Sequence, residues 1–94
     1  MLCDALAEAV TDDPDIIFNF ATLTGAARVA LGPDIPALFS NNKELAKKLL
    51  TSAKVVKDPL WQLPLHKPYR EYLKSAIADM TNCATQHHMA GSIV

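Results

Sequence analysis

Ninety-four residues, half of them hydrophobic, with nine basic against ten acidic side chains and a formal charge of −1, describe one compact unit rather than a disordered tail. No basic stripe with interleaved aromatics is present, which speaks against nucleic acid as a partner. The uncharged apolar runs fall far short of the roughly 18 residues a membrane span needs, and Asp4 stands where a signal peptide would be basic. The sequence therefore predicts a soluble, cytoplasmic protein with no membrane partner. A chain this short buries only a little over 60%, roughly, of the surface its unfolded form exposes, so its margin of stability is thin. Without a secretory context, Cys3 and Cys83 read as reduced, packed side chains rather than a disulfide.

Leu2, Ala5, Leu6, Ala9 and Val10 recur at helical spacing, so the chain opens as an amphipathic helix. That helix lacks an N-cap ahead of its first turn, which marks it as cut from something longer. Pro14 stops it. Asp12, Asp13 and Asp15 suggest calcium, but no Gly at the required offset and no distal Glu follow, leaving a solvated turn.

Residues 16–23 (Ile-Ile-Phe-Asn-Phe-Ala-Thr-Leu) form a continuous apolar run and predict a strand buried on both faces, as in a parallel sheet covered by helices. The run stops in Thr22-Leu23-Thr24-Gly25-Ala26, where glycine permits a turn or the close approach of a ligand. Ligands of open α/β sheets lie beyond the carboxyl ends of such strands. This end of the run therefore predicts the wall of a binding site, although Thr22 and Thr24 could equally satisfy a strand end.

Residues 28–32 and 37–40 read as two further short strands around the turn Pro33-Asp34-Ile35-Pro36. Asn41, with Glu44 three residues on, opens a second helix. Its buried stripe is Leu45, Leu49, Leu50, Ala53 and Val56, while Lys43, Lys47, Lys48 and Lys54 form a solvated face. Asp58-Pro59 ends it. Residues 61–65, bounded by prolines, read as an extended segment clipped onto the core. Pro68 starts a third helix through Tyr69, Tyr72 and Leu73. Residues 77–80 are ambiguous, and Ala90-Gly91-Ser92-Ile93-Val94 predicts the first turn of an apolar helix. Both ends thus read as cut surfaces.

Other constellations are weaker. His87 and His88 invite a metal, but adjacent histidines diverge on regular structure and no third ligand lies at a useful offset, so they read as a surface loop. Ser75, Asp79 and His87 could be imagined as a hydrolytic triad, yet nothing flanks Ser75 like a nucleophile elbow. No glycine-rich phosphate loop is present.

Several stretches, in order, resemble the leucyl (cytosol) aminopeptidase family. Leu2-Cys3-Asp4-Ala5-Leu6 is similar to the helix that follows that family's Asn-Thr-Asp-Ala-Glu-Gly-Arg motif, and Ala21-Thr22-Leu23-Thr24-Gly25-Ala26 to its substrate-binding stretch. Val29-Ala30-Leu31-Gly32, Trp61-Gln62-Leu63-Pro64-Leu65, Leu73-Lys74-Ser75, Ala78-Asp79-Met80-Thr81-Asn82 and Ala90-Gly91-Ser92-Ile93 follow in the family's order. Residues 82–90 depart from it, filling a region that many relatives fill with glycines.

The resemblance implies an α/β fold, here an incomplete three-layer α/β/α sandwich in which residues 1–94 are part of a catalytic domain. It lacks both the upstream metal-binding motif and the downstream end of that domain. It further implies a two-metal exopeptidase releasing N-terminal amino acids from peptides, with zinc or manganese holding the substrate amine and activating water. The family's metal ligands and motif arginine map onto no residue of this chain. No metal binding, no catalytic residue and no catalysis by the chain alone are therefore expected. What carries over is a substrate cradle: main-chain groups of Leu23 and Gly25 against the peptide backbone, with Thr22 and Gly25 lining the side-chain pocket. The family forms hexamers, so a homo-oligomer is expected. The competing readings are a stand-alone oligomerisation or interaction module, or a truncated product with no selected function.

Overall fold

The computed structural model describes residues 1–84. Its elements, in order, are helix α1 (Leu2–Thr11), helix α2 (Ala26–Leu31), strand β1 (Ala37–Leu38), helix α3 (Lys43–Val56), strand β2 (Trp61–Gln62) and a 3₁₀ helix (Lys67–Leu73). The expected apolar turn at residues 90–94 and the His87-His88 pair lie outside the described residues.

The organising unit is β1-α3-β2. The two strands pair in parallel, with Ala37 opposite Trp61 and Leu38 opposite Gln62. The Trp61 N–H donates to the Pro36 carbonyl at 3.1 Å, and the Leu63 N–H to the Leu38 carbonyl at 2.9 Å. Parallel strands need a long crossover, and α3 supplies it, packing against β2. This is the α/β signature that the sequence predicts, on a smaller scale: the described residues hold a two-stranded sheet.

The cap of α3 lies one residue later than the sequence suggests. Asn42, not Asn41, accepts the Leu45 N–H through Oδ1 at 3.0 Å. The Ser40 hydroxyl fixes the approach, accepting the Asn42 N–H at 3.1 Å and donating to the Asn42 carbonyl at 2.9 Å. Lys57 ends the helix in the left-handed region, at φ 57° and ψ 34°. The core of the molecule sits on one face of this helix, where Ala46 and Ala53, two turns apart, are buried. Leu45, Leu49 and Leu50 are half-buried, whereas Val56 is exposed in the last turn, contrary to the expected stripe.

Two expected strands are corrected. Residues 16–23 belong to neither strand nor helix, and their side chains are exposed rather than buried on both faces. Strand structure exists only where a neighbour supplies the hydrogen bonds, and the described residues offer this run none. Residues 28–32 fall in α2 instead of a strand. Ala26, Ala27, Arg28, Ala30 and Leu31 are strong helix formers, and their summed propensity outweighs the single β-branched Val29.

The remaining elements follow the sequence more closely. In α1, Met1 serves as the N-cap residue, and its ammonium donates to Asp4 Oδ2 at 2.6 Å. That contact holds the Asp4 carboxyl below its ordinary range. The helix expected to start at Pro68 is a 3₁₀ helix that begins one residue earlier, at Lys67, with proline in its first turn. The Tyr69 ring stands edge-on to His66 at 4.7 Å and tilted to Tyr72 at 5.8 Å. Both cysteines are free and exposed, so the packed role expected for them is not observed.

Candidate functional site

The expected cradle lies on the loop joining residues 16–23 to α2. Thr22 is exposed and the Leu23 side chain is 53% exposed. Thr24 is half-buried, and its Oγ1 accepts the Ala26 N–H at 3.3 Å, closing a tight turn into the helix. Gly25 is the N-cap residue of α2, at φ −76° and ψ −6°. Its carbonyl accepts the Val29 N–H at 3.0 Å. Thr24 thus does take the local structural role open to it, while Thr22 takes none among the described residues.

Gly25 does not need positive φ. A Cβ placed on it meets no atom within 4 Å, so nothing among the described residues requires glycine there. The glycine with a conformational reason is Gly32, at φ 82°, whose N–H closes α2 on the Arg28 carbonyl at 2.8 Å. The main-chain N–H and C=O of Leu23 bond nothing among the described residues. Thr22, Leu23 and Gly25 therefore stand together on one open loop, with main-chain groups accessible and free space where a side chain at 25 would project.

This loop holds no acid or base of its own, because no ionisable side chain lies between Asp15 and Arg28. The chain's ten carboxylates are all exposed. Among the described residues, no group of three or more His, Cys, Asp or Glu could hold a metal ion. Scattered, exposed carboxylates do not fit a two-metal centre, which needs several ligands converging on each ion. Ser75 is committed elsewhere: its Oγ accepts the N–H groups of Ile77 at 3.3 Å and Ala78 at 3.1 Å. A hydroxyl tied into its own turn is a structural device and not a nucleophile beside a base.

The sequence pattern did not point to α2 or to its role in positioning Gly25. The signal was present in the alanine-rich run closed by Gly32, which matches a helix with a glycine end.

A model of the cytosol aminopeptidase catalytic domain matches residues 1–94, the whole chain. The chain belongs to the cytosol aminopeptidase family. Peptidase B of Pectobacterium atrosepticum is 46% identical over 92 residues, which are 98% of this chain and 21% of that protein. A probable cytosol aminopeptidase of Prochlorococcus marinus is 49% identical over 92 residues, or 98% of this chain and 18% of the relative. The crystal structure of the Coxiella burnetii cytosol aminopeptidase superposes with a TM-score of 0.83 at 55% identity, covering 97% of this chain and 20% of that one. A mutant of tomato leucine aminopeptidase matches with a TM-score of 0.80 at 40% identity, covering 88% and 16%. This member of the cytosol aminopeptidase family thus spans about a fifth of the length of the relatives it matches.

Proposed function

We propose that residues 1–94 serve as one segment of a three-layer α/β/α aminopeptidase domain that releases N-terminal amino acids from peptides. In this reading the loop 22–25 is a wall of the substrate site. The observation that carries it is the match of the catalytic-domain model over the whole chain, combined with the open main chain of Leu23 beside Gly25.

The chemistry suits the geometry. An exopeptidase that accepts many N-terminal side chains must grip what all peptides share, and that is the backbone. The free N–H and C=O of Leu23 offer one donor and one acceptor for it. Glycine at 25 leaves the volume into which a substrate side chain would fit, and the exposed Thr22 stands three residues before it on the same loop. A pair of divalent ions, zinc or manganese, would supply the activated water and hold the substrate amine. Their ligands would come from outside these 94 residues. The chain's own part is to orient the peptide, which is where positional catalysis is gained or lost.

A chimera tests this. Residues 1–94 replace the matching segment of the Coxiella burnetii cytosol aminopeptidase, and hydrolysis of a leucine anilide is measured. The expected chimera is active, whereas the 94-residue chain alone neither turns over the anilide nor binds zinc or manganese tightly by calorimetry. A folded but inactive chimera, or two metals bound by the chain alone with turnover, would overturn the reading.

A further inference from the structure

Helix α2 begins inside the loop proposed as the substrate wall, and its geometry fixes what stands beside Gly25. The Val29 N–H bonds the Gly25 carbonyl at 3.0 Å, so residues 25–29 form a regular α-helical turn. At about 100° per residue, position 28 stands about 60° to one side of position 25, and position 29 about 40° to the other. Residues three and four apart on a helix are neighbours, with roughly 5–6 Å between their Cβ atoms. Arg28 and Val29 therefore flank the volume that Gly25 leaves open. Helical side chains lean towards the N-terminus of their helix, which brings both over the turn that carries Gly25. A Cβ on Gly25 meets no atom within 4 Å, so the space between the two flanks is clear.

The charge of Arg28 is uncommitted. Its side chain is exposed and forms no ion pair among the described residues. It is also the one ionisable side chain between Asp15 and Asp34. A guanidinium keeps its charge at any working pH and grips a carboxylate through two parallel N–H donors. Where a bound peptide excludes water, leaving that charge unpaired is costly, and a carboxylate on the substrate removes the cost.

We propose that Arg28 is a specificity-determining residue of the substrate wall, favouring peptides whose N-terminal residue is acidic. The inference rests on the reading of loop 22–25 as that wall. A glutamyl side chain suits it best, because its methylenes carry the carboxylate away from the peptide backbone held at Leu23 and towards a guanidinium one helical turn on. Val29, on the other flank, offers an apolar surface to those methylenes and equally to a leucine side chain, so apolar N-terminal residues remain substrates.

The test takes the chimera described above, with leucyl, glutamyl and lysyl anilides, and reads ratios of kcat/KM. Arg28→Gln should lower the glutamyl-to-leucyl ratio about fivefold, the upper range for an exposed ion pair. Arg28→Glu should lower glutamyl hydrolysis further and raise lysyl hydrolysis. Arg28→Lys should keep part of the preference, since the charge survives but the paired donors do not. Added salt should shrink the ratio in the parent chimera and leave it flat in Arg28→Gln. Lys48→Gln, which removes a charge from the exposed face of α3, should leave the ratio where it was. An equal fall for all three anilides with a lower melting temperature would mark Arg28 as a structural residue paired elsewhere in the domain, and would overturn the inference. So would a ratio indifferent to residue 28, or one that Lys48→Gln moves as far. A parent chimera inactive on every anilide would overturn the substrate-wall reading and this inference with it. An active chimera with an unmoved ratio overturns this inference alone.

Discussion

The two glycines that bracket α2 are there for different reasons. Gly32 sits at φ 82°, where a side chain is strained whatever the space around it. Gly25 has an ordinary helical backbone and open space at its Cβ position. In the chimera, Gly32→Val should therefore cost about 1–3 kcal/mol. Gly25→Val should stay within about 0.5 kcal/mol of the parent, yet lose hydrolysis because valine fills the volume proposed for substrate. Thermal melting and the anilide assay, run on both variants, separate the two roles. Equal destabilisation by both, or full activity in Gly25→Val, would sink the assignment of Gly25 to the substrate wall. The residues of the loop were legible in the sequence; the φ angle that assigns strain to Gly32 was not, because a glycine code permits every conformation and requires none.

Legibility of the elements followed their length and pattern. Helix α3 runs for 14 residues with charged and apolar faces, and the sequence places it within two residues at its start. Its cap was displaced by one because Asn41 and Asn42 are equally able to accept a backbone N–H. The Ser40 hydroxyl, which bonds both the N–H and the carbonyl of Asn42, decides between them. Asn42→Ala should accordingly cost α3 about 1 kcal/mol, while Asn41→Ala should change little, as read from helical signal during urea unfolding. The reverse ranking would restore the cap to Asn41. Helix α2, at six residues, is too short for periodicity to distinguish it from a strand. Residues 16–23 show the opposite failure: their composition favours a strand, but composition cannot provide a neighbour.

Taken whole, the molecule exposes far more surface than a self-sufficient fold of its mass. Its accessible area is 7922 Å² at 10.2 kDa, against about 5,300 Å² for a compact monomer of that size. Among the described residues the buried hydrophobic core consists of two alanines, and alanine contributes little apolar area beyond its backbone. The 94-residue chain should thus unfold broadly in calorimetry, with an enthalpy well under the roughly 60–80 kcal/mol of a 100-residue domain. It should also bind anilinonaphthalene sulfonate. A sharp transition of full enthalpy without dye binding would identify a stand-alone module and count against its being one segment of a larger domain.

By itself the sequence determined the family resemblance, helix α3 and the strand before it, because these depend on residue identity and local spacing; that Trp61–Gln62 pairs with β1 as a second strand, where the sequence suggests only a clipped extended segment, took the neighbour to decide. Tertiary structure alone decided that residues 16–23 stand unpaired among the described residues, that Ala46 joins Ala53 in being buried while Leu45, Leu49 and Leu50 are only half-buried, and that Gly25 is free of strain. The physical reason is the same in each case. Burial, strand pairing and backbone strain are properties of what surrounds a residue, and in this chain much of that surrounding is solvent.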